Sequence, residues 1–168
     1  MHVRTVTASL LDRLLDDEDS DPSISPGQTS EAKYIASVAR DIEQLLNTRN
    51  VRRKIISDGD PKVVSPVNLV DSSVAMLGLP DFSALSLSNG KHRQALVDSV
   101  KTTIKTFDRR LKDVQVVLPD DARASALLQF SIRARLELVG LAKDVGFEAW
   151  FQSTTLQFAV NPSATAPL

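Results

Sequence analysis

An uninterrupted alternation of apolar and polar side chains constrains the fold of this chain more than any other feature. The stretch is LQFSIRARLEL, from Leu128 to Leu138. Because successive side chains of a β-strand point to opposite faces of a sheet, the pattern predicts a strand with one apolar and one solvated face. The apolar positions are Leu128, Phe130, Ile132, Ala134, Leu136 and Leu138. Such a face needs a covering layer, which the rest of the chain must supply.

Two segments with helical periodicity are candidates for that covering layer. The first runs from Ser30 to Asn47, and Ser30 or Thr29 can cap its start. Its apolar face consists of Ile35, Val38, Ile42, Leu45 and Leu46. The second runs from Lys91 to Leu111, with apolar residues at steps of three and four. These are Val97, Val100, Ile104, Phe107 and Leu111.

Two further β-rich segments extend the predicted sheet. They are Val114 to Leu118 and Phe147 to Val160. The sequence therefore predicts an α+β fold. N-terminal helices are followed by a small antiparallel sheet, which packs against the second long helix.

The ends of the chain differ in composition from the central segment. Residues 1–29 are predicted to hold a short docking helix from Ala8 to Glu18, followed by a flexible linker from Asp19 to Ser30 that is rich in Pro, Gly and small polar residues. Residues 30–160 form the predicted α+β domain, and residues 161–168 a disordered tail.

The overall composition argues against several classes of protein. The formal net charge of −1 is not that of a dedicated nucleic-acid binder. There is no cysteine, which excludes disulfides and thiolate metal sites. No apolar run approaches the roughly 20 residues that cross a bilayer, and no signal sequence begins the chain. We therefore expect a cytoplasmic protein without direct membrane insertion.

The residues that usually carry catalysis show no recognisable arrangement. The two histidines, His2 and His92, have no partner at a familiar spacing. No glycine-rich phosphate loop is present. The sequence predicts no catalytic residue, no metal site and no cofactor, although a carboxylate pair suited to glycoside hydrolysis stays open.

A local basic cluster follows the first helix. It consists of Arg49, Arg52, Arg53 and Lys54. Basic side chains at a helix C-terminus interact favourably with the helix dipole, and this is one interpretation of the cluster. Docking of another protein is the second. No aromatic residue lies among them, which argues against a stacking platform for single-stranded nucleic acid.

Several segments, in this order, resemble one protein family. Ser37 to Arg49 contains LLNTR, Leu77 to Ser83 reads LGLPDFS with Leu77 in place of a tyrosine, and Val97 to Val116 has an apolar helix face leading into a strand. Two shorter segments also fit, Ser9 to Leu14 and Trp150 to Phe158. Together they resemble the TssE family, wedge-type baseplate subunits of type VI secretion that are related to a contractile-phage baseplate wedge protein.

The resemblance implies a structural, non-enzymatic role. Members join TssF and TssG in a wedge, with TssK as a further candidate partner, and offer a starting edge to tail sheath subunits. An exposed sheet edge can template a partner strand. Leu128 to Leu138, or its neighbour Phe147 to Val160, could supply that edge. The alternatives are a soluble regulatory binder of the same fold, resembling anti-adapter proteins, and a cell-wall hydrolase.

The resemblance also implies site residues. The family's Glu-Pro-Arg motif corresponds to Asp108, Arg109 and Arg110. These are the predicted sheath- or wedge-binding residues, and a charged helix terminus is the alternative. Arg109 replaces the proline, which removes a rigid break between helix and strand. Arg49 and Asp81 lie in the other motifs and are predicted to be wedge-facing or structural.

Overall fold

The structure is a computed structural model, which describes residues 5–8, 28–50, 73–82, 86, 88–118, 127–138 and 141–163. Its elements, in chain order, are β1 (Thr5–Thr7), β2 (Gln28–Ser30), α1 (Glu31–Asn47), a 3₁₀ turn (Val74–Met76), α2 (Gly90–Phe107), β3 (Leu111–Val117), β4 (Leu127–Leu138), β5 (Leu141–Gln152) and β6 (Gln157–Ser163). Neither helix in these ranges could span a bilayer.

An antiparallel sheet in the order β3-β4-β5-β6 is the centre of the fold. Strand β4 has the predicted buried apolar face and solvated polar face. Its apolar side chains Leu128, Phe130, Ile132, Ala134 and Leu136 are all buried, while Gln129, Arg133, Arg135 and Glu137 are exposed. The predicted α+β fold is confirmed.

Both helices lie on the apolar face of the sheet. The hydroxyl of Ser30 accepts the backbone N–H of Lys33 and caps α1, as predicted. Helix α1 packs mainly against β6, and α2 packs mainly against β3. The helices contribute Val38, Ile42, Leu46, Leu96, Val100 and Ile104 to one core with the sheet. The two predicted helical faces therefore supply the covering layer.

The second helix is shorter than predicted, because the chain turns at Asp108. The N–H of Asp108 makes the last helical bond, to the carbonyl of Ile104. Its Oδ1 then accepts the backbone N–H of Arg110 at 3.0 Å, which redirects the chain. Leu111 is buried as predicted, but as the first residue of β3 rather than as part of a helix face.

The third strand begins earlier than the predicted segment Val114 to Leu118 because it contains a bulge. The register with β4 shifts between Lys112 and Gln115, and Asp113 has a positive φ of 51°. A bulge inserts an extra residue and interrupts the alternation of side chains. Periodicity therefore detected only the part of the strand beyond the bulge.

The segment Phe147 to Val160 is not one strand but parts of two, β5 and β6, joined by a turn at residues 153–156. Strand β6 continues to Ser163, three residues into the predicted tail. At the other end, residues 28–30 of the predicted linker form β2, which pairs with β1. The predicted docking helix beyond Ala8, the rest of the linker and Arg52 to Lys54 lie outside the described residues.

Candidate functional site

A three-residue charge cluster joins the end of α2 to α1. The Nη2 atom of Arg110 lies 2.9 Å from Oδ2 of Asp41 and 2.8 Å from Oδ2 of Asp108. The Nε atom of Arg110 donates to Oδ1 of Asp108 at 3.0 Å. Asp108 is 8% exposed. We call these three residues the charge clamp, since they fix the α2–β3 turn against α1.

The electrostatics of the charge clamp keep its arginine ionised. The side-chain hydrogen bond to Asp108 raises the pKa of Arg110 above its ordinary value and outweighs the opposing effect of burial. A raised arginine pKa means that this contribution to stability is complete below the ordinary arginine value and is lost only at higher pH. The clamp therefore does not lose this cation in the neutral range.

The charge clamp borders a groove of about 540 Å³ between α1 and the α2–β3 turn. Apolar side chains of Leu45, Leu77 and Phe107 line part of it. Arg109 also lines it, is exposed, and makes no ion pair with any residue that the structure describes. The structure thus brings Asp108, Arg109 and Arg110 together but divides their roles. Asp108 and Arg110 bind each other and α1, whereas Arg109 points away from them and has no ion pair among the described residues.

Arg49 has intramolecular partners that account for its position. Its Nη2 donates to the carbonyl of Leu156 at 2.6 Å, and its guanidinium carbon lies 4.3 Å from the centre of the Phe82 ring. Burial lowers the pKa of Arg49, and the charge of Asp81 partly offsets this. Of the two roles predicted for Arg49, these contacts favour the structural one. Asp81 is exposed.

The two motifs LLNTR and LGLPD are in direct contact. The N–H of Leu79 donates to the carbonyl of Thr48 at 2.8 Å, and the N–H of Asn50 donates to the carbonyl of Leu79 at 2.9 Å. The amide of Asn50 also donates to the carbonyl of Gly78 at 3.1 Å. We call residues 48–50 and 78–79 the motif clasp. Each motif therefore provides hydrogen-bond partners for the backbone of the other.

The outer edge of β6 is closed by side chains of α1. Outward-facing groups recur at every second residue, here 158, 160 and 162. The side chain of Asn47 bonds both the N–H and the carbonyl of Phe158, each at 2.9 Å. Glu43 accepts the N–H of Val160 at 2.8 Å. Residue 162 is a proline without an N–H. No outward N–H of β6 is left for another strand.

In the described ranges, no strand pairs with the outer edge of β3. Glu137 donates to the carbonyl of Arg110, so the odd-numbered residues of β4 bond to β3. Beyond the bulge, Gln115 and Val117 pair with Arg133 and Ser131, and the N–H and carbonyl of Val116 therefore point away from β4. No hydrogen bond from any described residue reaches these two groups.

The predicted edge at Leu128 to Leu138 is wrong, because β4 is paired on both sides. Of Phe147 to Val160, β5 is internal and the edge of β6 is closed.

Sequence reasoning missed Asp41, Glu43, Asn47 and Val116. Only Asn47 carried a signal, since it is the asparagine of LLNTR.

Comparison with known proteins gives one match to a family model, described as baseplate wedge protein gp25, over residues 32–139. Neither the curated proteins nor the solved structures give a match.

Proposed function

The chain belongs to the family of baseplate wedge protein gp25, a structural family of contractile machines, and from this premise we propose that it couples a type VI baseplate wedge to the tail sheath. In this proposal it is a non-enzymatic, cytoplasmic subunit that joins TssF and TssG and offers sheath subunits a strand edge. The family membership confirms the resemblance predicted from the sequence. The observation that carries the sheath-docking proposal is the edge of β3, which no described strand covers, whereas side chains of α1 close the edge of β6.

The groove beside the charge clamp supports the proposed wedge contact. It combines apolar walls with the exposed cation of Arg109, which forms no ion pair in the part of the chain that the structure describes. A few hot-spot residues in well-packed pockets carry most of the affinity of an interface, and arginine is enriched among them. A partner segment that inserts an apolar side chain and presents a carboxylate would complement this groove.

The test of the whole proposal is co-purification. The tagged chain is expressed with TssF and TssG from the same source, and the mass of the eluted complex is determined. A stable stoichiometric complex is the expected result. A lone monomer, with both partners folded and present, would contradict the wedge assignment and favour the regulatory, anti-adapter-like alternative.

Arg109→Glu is expected to weaken binding to TssF and TssG at least about tenfold, because it places an anion at the rim of the groove. Thermal stability should change little, since Arg109 is exposed and makes no ion pair with the described part of the chain. Titration of the purified partners measures the affinity. Lys105→Glu is the matched control, because it makes the same charge change at an exposed position on α2 that does not line the groove. Equal affinities for both variants would remove Arg109 from the interface.

Val116→Pro is expected to prevent sheath initiation while the wedge still assembles. The substitution removes an outward N–H that an added strand would need, and proline is tolerated where the N–H of an edge strand faces solvent. Electron microscopy of sheath growth on purified baseplates measures the effect. Val116→Ile keeps the N–H and the partly buried apolar contact, so it should behave like the original chain. Sheath growth unaffected by the proline would exclude this edge as the docking site.

A further inference from the structure

The outer edge of β3 has a first half that is poorly suited to pairing. The register shifts between Lys112 and Gln115, where the strand contains its bulge. Asp113 lies 3.2 Å from Arg135, and Lys112 lies 3.9 Å from Glu137. Bulges and charged side chains are two of the features by which proteins prevent pairing at a sheet edge. An added strand would therefore find a regular ladder only beyond the bulge.

The half of the edge beyond the bulge has neither feature. Residues 115–118 read QVVL, with no charge and no proline, and we call them the uncharged half. The side chains of Val116 and Leu118 are partly buried against the hydrophobic core. Val117 pairs with Ser131 on the solvated face and is 45% exposed. The uncharged half therefore presents apolar side chains on both faces of the sheet.

The exposure of Val117 is a property of this edge. The large apolar side chains that are strongly exposed, among the described residues, are Val74, Val117 and Leu127. Val74 lies in the 3₁₀ turn and Leu127 on the internal strand β4, so only Val117 is on an edge strand of the sheet. On the same face, the opposite edge strand β6 exposes Gln157, Ala159 and Asn161. An apolar side chain is thus exposed at the edge that no described strand covers.

The ladder fixes two positions of any strand that is added antiparallel, as in every other pairing of this sheet. The residue opposite Val116 would bond to its outward N–H and carbonyl. Since residues directly opposite each other point to the same face, that side chain would lie beside Val116 on the helix side. The next residue would lie beside Val117 on the solvated face. Cross-strand Cβ atoms are about 4.5–5.5 Å apart, so both pairs are in contact.

We propose that the uncharged half selects a sheath strand that is apolar on both faces, an inference that rests on the proposed function. One apolar side chain of that strand covers Val116, and its neighbour covers Val117. A strand with a charged solvated face, such as β4 with Arg133 and Arg135, would instead place a charge against Val117 and lose hydration without a partner. In strand addition, main-chain hydrogen bonds give affinity and side chains give specificity. Val117 is therefore the specificity-determining residue of the edge.

Val117→Lys tests this selection, because a lysine on an edge strand opposes pairing. Electron microscopy of purified baseplates counts the fraction that carry sheath, which is expected to fall at least about tenfold. The mass of the complex with TssF and TssG, measured on the same preparations, should not change. Leu127→Lys is the matched control. It makes the same substitution at a side chain that is 49% exposed, four residues beyond Ser131, the partner of Val117. Its baseplates should grow sheath normally.

A photoreactive residue at position 117 identifies the added strand and keeps an apolar side chain at that position. The expected product joins position 117 to a sheath segment with apolar residues at two successive positions. A crosslink to a second copy of the chain, or to TssF or TssG, would overturn the inference. So would a crosslink to a sheath residue that is itself charged.

The outcomes separate this inference from the proposals on which it rests. Sheath growth that is blocked by Val116→Pro but unaffected by Val117→Lys overturns the inference and leaves docking at this edge standing. Growth unaffected by either variant overturns docking at the edge and the inference with it. A wedge complex that is lost in Val117→Lys but kept in Leu127→Lys places Val117 in the wedge contact, which also overturns the inference. Failure of the unsubstituted chain to bind TssF and TssG overturns the proposed function itself.

Discussion

Replacing Gly78 with alanine is expected to lower the free energy of unfolding by about 3–4 kcal/mol. Gly78 has a φ of 103°, a conformation that residues with a Cβ atom rarely adopt. The added Cβ would lie 2.2 Å from the backbone oxygen of Thr48. That oxygen also accepts the N–H of Leu79. Because the obstacle is backbone and not a flexible side chain, relief of the clash requires the motif clasp to open.

Urea unfolding followed by circular dichroism measures this loss. Gly90→Ala is the matched control, because the new Cβ would meet only the Nη2 atom of Arg93, at 3.8 Å. Gly90 begins α2, where alanine suits the helix, so its effect should be neutral or stabilising by up to about 1 kcal/mol. A loss below about 1 kcal/mol for Gly78→Ala would mean that the motif clasp is not a rigid part of the fold.

The consequence of opening the motif clasp should extend to the sheet. Arg49 follows Thr48 and connects the clasp to the carbonyl of Leu156 and the ring of Phe82. Phe82 in turn packs edge to face on Phe151 and Phe158, with ring centres 5.1 and 5.8 Å apart. These contacts link the LLNTR and LGLPD motifs to β5 and β6. The motif residues that resemble the family therefore make contacts within the chain. They indicate a shared fold and do not show where a partner binds.

The sequence predicted those elements whose periodicity was undisturbed. Strand β4 has one buried and one solvated face, so its alternation is complete. Both helices have buried stripes of regular spacing. The errors have local physical causes. Leu111 is four residues beyond Phe107 and continues the helical period by coincidence, while the bulge at Asp113 hides the start of β3.

Which strand forms an edge could not be predicted, because strand order does not leave a period in the sequence. The alternation that made β4 easy to recognise indicates only that one of its faces is exposed to solvent. Whether a strand lies at the edge of the sheet depends on whether it pairs with one neighbouring strand or with two. The closure of β6 depends on Glu43 and Asn47, more than 100 residues earlier in the chain. Only the packing of α1 on β6 brings these side chains to that edge.

The charge clamp could not be predicted either, because its members are far apart in the sequence. Asp41 and Arg110 are 69 residues apart, and the chain offers 20 basic and 21 acidic residues for pairing. The motif resemblance selected Asp108, Arg109 and Arg110 together and gave all three one role. The geometry separates them, since the side chain of Asp108 is 9% exposed and that of Arg110 is 29% exposed, whereas Arg109 is exposed. We therefore propose that Asp108 and Arg110 stabilise the turn and that Arg109 binds the partner.

Arg110→Met is accordingly expected to lower the free energy of unfolding by about 2–3 kcal/mol. Methionine keeps the apolar stem but removes the guanidinium, which leaves the buried carboxylate of Asp108 without its charged partner. The cost stays below that of a fully buried pair, because the side chain of Asp41 is 38% exposed and regains water. Arg109→Met, at the next position, should change stability by less than about 0.5 kcal/mol.

A double-mutant cycle shows whether the charge clamp is the cause. Asp108→Asn removes the buried charge but keeps an oxygen that can accept the backbone N–H of Arg110. Combined with Arg110→Met, it should cost less than the sum of the two single changes by at least about 1 kcal/mol, because no charge is then left buried and unpaired. Strict additivity would mean that Arg110 stabilises the turn only through the packing of its stem. The α2–β3 turn would then be held by hydrogen bonds instead of the ion pair, among them those from the N–H of Arg110 to Asp108 and from the N–H of Glu137 to Arg110.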